Sequence, residues 1–190
     1  ICAHADVRHG AFIRGRVIIG EGAVVGNSCE IKNAVLFDGV QVPHYNYVGD
    51  SILGYQAHMG AGAITSNVKS TKTLVSVHAE EGAQETGLKK FGAILGDGAE
   101  IGCNSVLNPG VVIGKNSIVY PLSSVRGCVP ANSIYKGKDE IAAREERKDA
   151  SAEKTEEKAA ADETAAAAPA KKTRTRKSTS GTSKSLKVVK

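Results

Sequence analysis

The sequence predicts an all-β chain built as a solenoid of short strands, and three observations carry this. The first is a six-residue beat of large apolar residues: Ile1, Val7, Ile13, Ile19, Val25, Ile31 and Phe37, again at Leu53 and Met59, and in full at Leu95, Ile101, Leu107, Ile113, Val119 and Val125. The second is a small or compact residue four places after most of these: Ala5, Ala11, Val17, Ala23, Cys29 and Val35, then Ala99, Ser105, Val111, Ser117, Ser123 and Val129. The third is a glycine directly after the apolar residue, as in Ile19-Gly20, Val25-Gly26, Met59-Gly60, Leu95-Gly96 and Ile113-Gly114. A spacing of six fits neither the 3.6 period of a helix nor plain strand alternation with ordinary loops, and a fixed short period marks a solenoid.

Each hexad then holds one short strand and one sharp turn. Three hexads close a triangular coil, so residues 18 apart should stack: Ile1 beneath Ile19, Val7 beneath Val25, Ile13 beneath Ile31, Leu95 beneath Ile113. Parallel strands would set successive coils about 4.8 Å apart, with β-branched side chains suiting the interior. The compact residues fit the narrow corners, and glycine allows positive φ or close approach of the next coil. Residues 1–42 read as about two coils. The beat breaks at Pro43-His44-Tyr45-Asn46-Tyr47, so an interruption is expected there before the coils resume to residue 64. Residues 65–94 lose the beat and read as an extruded loop with a small hairpin, and long loops inside compact repeats are usually functional. Residues 95–130 give two regular coils, and the β-helix is expected to span 1–137. Residues 138–160 read as a charged helix, and 161–190 as a disordered Ala/Lys/Ser/Thr-rich tail. The chain opens in frame at Ile1, so part of a coil is expected to precede it.

Aromatic residues are few (three Phe, five Tyr, no Trp), as befits a narrow prism filled by aliphatics. No run of 18 apolar residues offers a membrane helix, and no secretory leader is recognisable. Four cysteines (Cys2, Cys29, Cys103, Cys128) form no Cys-x-x-Cys pair and read as reduced thiols of a cytoplasmic protein. The net charge of +5 belongs to the tail: residues 171–190 hold eight of the 25 bases and no acid, leaving 17 bases against 20 acids elsewhere. Such a basic tail suits an anionic partner. The segment Pro43–Asp50 gathers a histidine and two tyrosines, and a neutral His is the side chain best suited to take a proton near pH 7.

Residues 14–67 also carry Val25-Gly26-Asn27, Glu30-Ile31-Lys32, His44-x-x-Tyr47-x-Gly49-Asp50 and Gly60-Ala61-Gly62-x-x-Thr65-x-Asn67. In these stretches the chain resembles the acetyltransferase domain of the bifunctional glucosamine-1-phosphate acetyltransferase / N-acetylglucosamine-1-phosphate uridyltransferase family, over roughly residues 10–135. The stretch from Lys89-Lys90-Phe91-Gly92-Ala93 through Asn108-Pro109-Gly110 to Val125-Arg126 is similar to archaeal and some bacterial relatives of that family. The resemblance implies a left-handed parallel β-helix, a homotrimer with sites between subunits, and acetyl-CoA as co-substrate, with no resident metal. It implies His44 as the general base that deprotonates the sugar amine. It gives Arg14 and Lys32 to the sugar phosphate, and Tyr47, Asn67 and, in the following loop, Lys72 to the substrate. Ala61 would offer a backbone N–H to the thioester oxygen, and Arg126 would meet a phosphate of acetyl-CoA. The chain departs from the family at His58, where a sugar-contacting Asn is usual, and at Val68, where an aromatic is usual. No Gly-rich nucleotide loop precedes the hexads, so nucleotidyl transfer is not expected of these residues.

Two other readings compete with an acetyltransferase of an amino-sugar phosphate in UDP-N-acetylglucosamine synthesis. One is a non-catalytic trimeric module that binds a sugar nucleotide or acts as a scaffold. The other is a zinc enzyme resembling the γ-class carbonic anhydrases, drawing on His4-x4-His9 with His44, His58 or His78.

Overall fold

A computed structural model describes residues 1–79, 82–137 and 140–144, and all regular structure among them is strand. The first coil holds β1 (Asp6–Val7), β2 (Phe12–Arg14) and β3 (Ile18–Ile19). The second holds β4 (Val24–Asn27), β5 (Glu30–Lys32) and β6 (Val35–Leu36), and the third β7 (Gln41–His44), β8 (Tyr47–Gly49) and β9 (Ile52–Leu53). The fourth coil is β10 (His58–Met59), β11 (Ile64–Thr65), an excursion holding β12 (Ser76–Ala79) and β13 (Gly82–Glu85), and then β14 (Ala93–Leu95). Two further coils follow, β15 (Glu100–Ile101), β16 (Val106–Leu107), β17 (Val111–Ile113) and β18 (Ile118–Val119), β19 (Ser124–Val125), β20 (Cys128–Val129). The chain ends its described course with β21 (Ser133–Gly137) and β22 (Glu140–Ala143). Every third strand stacks in parallel, giving three faces. The first face runs from β1 through β4, β7, β10, β15 and β18 to β21, with β22 at its edge; the second runs from β2 to β19, the third from β3 to β20.

The aliphatic beat fills the prism. Ile19, Val25, Ile31, Leu53, Met59, Leu95, Ile101, Leu107, Ile113, Val119 and Val125 are all buried. Stacking at 18 residues holds where the sequence places it, for Val7 over Val25, Ile13 over Ile31 and Leu95 over Ile113. The phase then shifts. Ile19 stacks on Leu36 and Val25 on Val42, both at 17 residues, because the turn around Asn33 is one residue short. The inward residue is therefore Leu36, while Phe37, expected inside, is 51% exposed; the corner slot goes to Ala34 instead of Val35. The break at Pro43–Tyr47 is likewise no interruption. Val42 and Val48 continue the core, and buried Asn46 takes the corner slot between them.

Every irregularity in spacing lies at one corner, the second, between the second and third faces. There the coil is short at Asn33 and Asp50 and releases the excursion between β11 and β14. The excursion is clasped at its base, where Phe91 donates to the Asn67 carbonyl (3.0 Å) and Gly92 to that of Asp50 (2.8 Å). Within it, β12 and β13 form the expected small hairpin, antiparallel.

The charged helix expected over 138–160 is not found where the chain is described. Glu140–Ala143 is a strand, antiparallel to β21, because the last parallel strand leaves an open ladder edge for it to complete. Lys136 Nζ donates to Glu140 across this strand pair (2.9 Å), and Arg144 Nη1 donates to the Asn116 carbonyl of the coil beneath (2.7 Å). The rest of that segment and the 161–190 tail lie outside the described residues.

Candidate functional site

The sequence-predicted residues fall on two neighbouring corners. At the second corner, β5 ends in Lys32 and β8 in Gly49, in direct register, with Arg14 of β2 stacked on Lys32. The short turns push Asn33 (φ 46°) and Asp50 (φ 51°) into the left-handed region, where Asn and Asp are the most tolerant side chains after glycine. The Asp50 carboxylate accepts from Lys32 Nζ (3.4 Å), from Asn33 Nδ2 (3.1 Å) and from Asn67 Nδ2. Asn67 Nδ2 also donates to the Tyr47 hydroxyl (3.1 Å). Lys32, Tyr47 and Asn67 are thus brought together, and the residue that joins them, Asp50, was read only as part of a motif. Gly49 makes room for this. A Cβ there would stand 2.7 Å from Tyr47 Cζ, so the ring folds back over the glycine to reach Asn67. Arg14 stays on the second face, where Nη2 pairs with Glu30 at 2.6 Å and the guanidinium lies over the Phe12 ring.

The first corner, between the first and second faces, carries His44 and Ala61 on successive coils. Gly62 donates to the His44 carbonyl (3.0 Å), which sets the two turns side by side. Asn46, buried beneath, staples them from inside. Its Nδ2 donates to the carbonyls of Gly60 (2.7 Å) and Ala63 (3.1 Å), and its Oδ1 accepts from the His44 N–H (3.1 Å). The His44 ring is exposed, with no hydrogen bond among the described residues. The Ala61 N–H is also free of any partner among them, whereas the turn N–H groups of Glu21 and Tyr55 are capped by Asp38 (2.7 Å) and Asp97 (2.9 Å). Adjacent turns of two successive coils thus carry an exposed imidazole and an uncapped backbone N–H.

The remaining predicted residues lie apart from these pairs within one chain. Lys72 is exposed in the excursion (φ 58°). Arg126 is exposed at the second corner, and so not at the corner of Ala61 with which the resemblance groups it. His58 faces outward on the first face, with Nδ1 at 2.8 Å from Glu100. A groove of about 700 Å³ opens on the third-face side of the second corner, against Asp50, Arg16, Lys90 and Phe91 rather than at His44. The histidines of the zinc alternative do not converge: no group of three or more His, Cys, Asp or Glu suited to a metal occurs among the described residues. Among the same residues no helix is long and apolar enough to cross a membrane.

Comparison with known proteins places this geometry in context. Residues 92–127 match the bacterial transferase hexapeptide (six repeats), and residues 1–86 match the GMPPB C-terminal domain. The bifunctional protein GlmU of Methanococcus vannielii is 35% identical over 131 residues, 69% of this chain and 31% of that protein. The bifunctional sugar-1-phosphate nucleotidylyltransferase/acetyltransferase of Sulfurisphaera tokodaii is 31% identical over 126 residues, 66% of this chain and 31% of that protein. The chain thus spans about a third of the length of the curated relatives it matches. Among solved structures, PerB from Caulobacter crescentus, in complex with CoA and GDP-perosamine, superposes with a TM-score of 0.53 at 20% identity, over 68% of this chain and 53% of that one. WeeI from Acinetobacter baumannii AYE gives 0.50 at 22%, over 66% and 51%. These likenesses are of fold, the left-handed parallel β-helix. The chain is a hexapeptide-repeat protein of that fold. Within that class its residues 1–86 are similar to the GMPPB C-terminal domain, and over about two thirds of its length the chain is similar to GlmU proteins.

Proposed function

We propose that the chain is a CoA-dependent N-acetyltransferase acting on an amino-sugar phosphate resembling glucosamine-1-phosphate, in UDP-N-acetylglucosamine synthesis. The observation that carries this is the pairing of two corners: Lys32, Tyr47 and Asn67 gathered at one, and at the other the exposed His44 on a turn bonded to the one that holds the uncapped Ala61 N–H. Lys32 and Arg14 hold the phosphate by charge-assisted hydrogen bonds, and Tyr47 and Asn67 hold the sugar. The neutral His44 ring takes a proton from the sugar amine as its nitrogen attacks the acetyl-CoA carbonyl carbon. A C–N bond forms, the carbonyl oxygen gains charge opposite the Ala61 N–H, and the C–S bond breaks. The departing CoA thiolate receives the proton back from the imidazolium. Lys72 and Arg126 reach the substrate and the CoA phosphate from another subunit of a homotrimer. We place the enzyme in the cytoplasm and assign the basic charge of residues 171–190 to anionic partners.

The test is thiol release from acetyl-CoA in the presence of glucosamine-1-phosphate, with galactosamine-1-phosphate alongside. His44→Ala is expected to lower the rate by about 10²–10⁴-fold, the usual contribution of a general base; unchanged turnover would remove His44 from the mechanism. A second reading, a sugar-nucleotide-binding module without catalysis, draws on one observation. Both phosphate cations are already paired with carboxylates, Arg14 with Glu30 and Lys32 with Asp50. It expects saturable binding of a sugar nucleotide and no thiol release with either sugar.

A further inference from the structure

We propose that Asp50 is the positioning residue of this site and the internal counter-ion that a substrate phosphate replaces at Lys32. The proposal rests on the amino-sugar-phosphate reading above and names a residue that reading leaves unused. Asp50 sits where the coil is one residue short, in a left-handed turn that holds its carboxylate beside Lys32 of the second coil and Asn67 of the fourth. Its Oδ1 accepts from Asn33 and its Oδ2 from Lys32 and Asn67, so one carboxylate ties together side chains from three coils. Through Asn67 it also fixes the Tyr47 hydroxyl.

Two features separate its two roles. The Lys32 and Asp50 side chains are only 15% and 16% exposed, so little solvent screens the charge between them. Yet their separation, 3.4 Å, is well beyond the roughly 2.7–2.9 Å of a strong N⁺–H···O⁻ bond. Lys32 therefore has donors to spare and a weak hold on its present partner. The Arg14–Glu30 pair, at 2.6 Å, is tight by comparison. A phosphate dianion arriving at Lys32 offers more charge than the carboxylate and takes the ammonium. Asp50 keeps Asn33 and Asn67, and with them the sugar-facing amide and hydroxyl. Its geometry then favours the sugar while its charge opposes the phosphate.

Asp50→Asn separates these effects, since it retains the shape and one acceptor oxygen and deletes the charge. Calorimetric titration of the full chain with glucosamine-1-phosphate, with glucosamine and with inorganic phosphate reads them apart. Removing one like charge a few ångströms from the phosphate is expected to tighten both phosphate-bearing probes about tenfold. Glucosamine binding is expected to change by less than about twofold, and Lys32→Gln in the same background to abolish the gain. Asp50→Ala, which removes the geometry as well, is expected to weaken glucosamine. Should Asp50→Asn not fold, Asp50→Ala decides: inorganic phosphate must tighten about tenfold while glucosamine weakens. Equal loss of phosphate and glucosamine in Asp50→Asn, or no change in either, overturns the proposal. Phosphate tightening without any sugar binding would sustain Asp50 as counter-ion and sink the amino-sugar reading. Failure of both wild type and Asp50→Asn to bind phosphate overturns the counter-ion itself.

Discussion

Asn46 fills an inward corner slot that neighbouring coils give to Cys29, Ala63 and Ser105. Its amide satisfies two buried carbonyls and one N–H, so Asn46→Ala leaves those groups unpaired in a dry corner. A loss of about 2 kcal/mol in urea unfolding is expected, with turnover lowered further because the His44 and Ala61 turns lose their common staple. A stability change below about 0.5 kcal/mol would show that water replaces the amide there. Cys29 stacks against Asn46, and burial raises its thiol pKa above the usual value. For an acid raised in the folded state, the stabilising difference is complete below the unfolded thiol value of about 8.5. Stability is then lost as pH rises through that value toward the folded one. Alkylation should accordingly modify exposed Cys103 and Cys2 in the native protein and spare Cys29; equal labelling of all three would contradict the burial. At this scale the sequence placed Lys32, Tyr47 and Asn67 in motifs, and the fold brings the three together. The sequence was opaque for Asn46, since a polar residue in an apolar rhythm looks like a break, and for Asp50, whose role exists only when three coils are stacked.

The strands were legible as hexads because each repeats one pattern against an identical neighbour. Their phase was not: a single-residue deletion at Asn33 shifts every later inward position, and only the ladder register reveals that Leu36 and not Phe37 turns inward. Close stacking has a price in side-chain space that Gly26 shows. A Cβ there would lie 1.6 Å from the Pro43 carbonyl oxygen. Gly26→Ala must push the His44 strand aside, and a loss of about 3 kcal/mol with a displaced His44 turn is expected by thermal unfolding and by turnover. A neutral effect would mean that neighbouring coils yield more readily than a parallel ladder allows. The segment after β21 misled for a different reason. Glu140-Ile141-Ala142-Ala143 has helical composition, but an unpaired ladder edge offers its backbone more than local propensity does, and the strand forms.

For the molecule as a whole, the faces differ in character. The outward column of the third face, Ile18, Val35, Ile52, Ile94, Val112 and Cys128, is apolar from one end to the other. The first face presents a run of Gln41, His58 and Glu100. If the reaction needs residues from two subunits, His44→Ala and Lys72→Ala should each lower thiol release alone, and mixing the two chains should restore part of it after reassembly. No recovery would place both residues in one subunit's site. This scale was the least legible: hexads specify how one coil meets the next but leave no periodic mark of which outer face meets another molecule.

The second corner has a consequence for what the scaffold can carry. Across the ladder, successive coils advance by 18, 17, 17, 42, 18 and 16 residues, and the difference is taken up there each time while the other two corners keep their length. A segment of foreign sequence spliced between Arg126 and Cys128 would therefore leave the prism where the excursion between β11 and β14 does, with every core side chain kept in its layer. The same corner that assembles Asp50 and Lys32 thus makes the solenoid a display frame, able to take on a new recognition segment with no redesign of its interior.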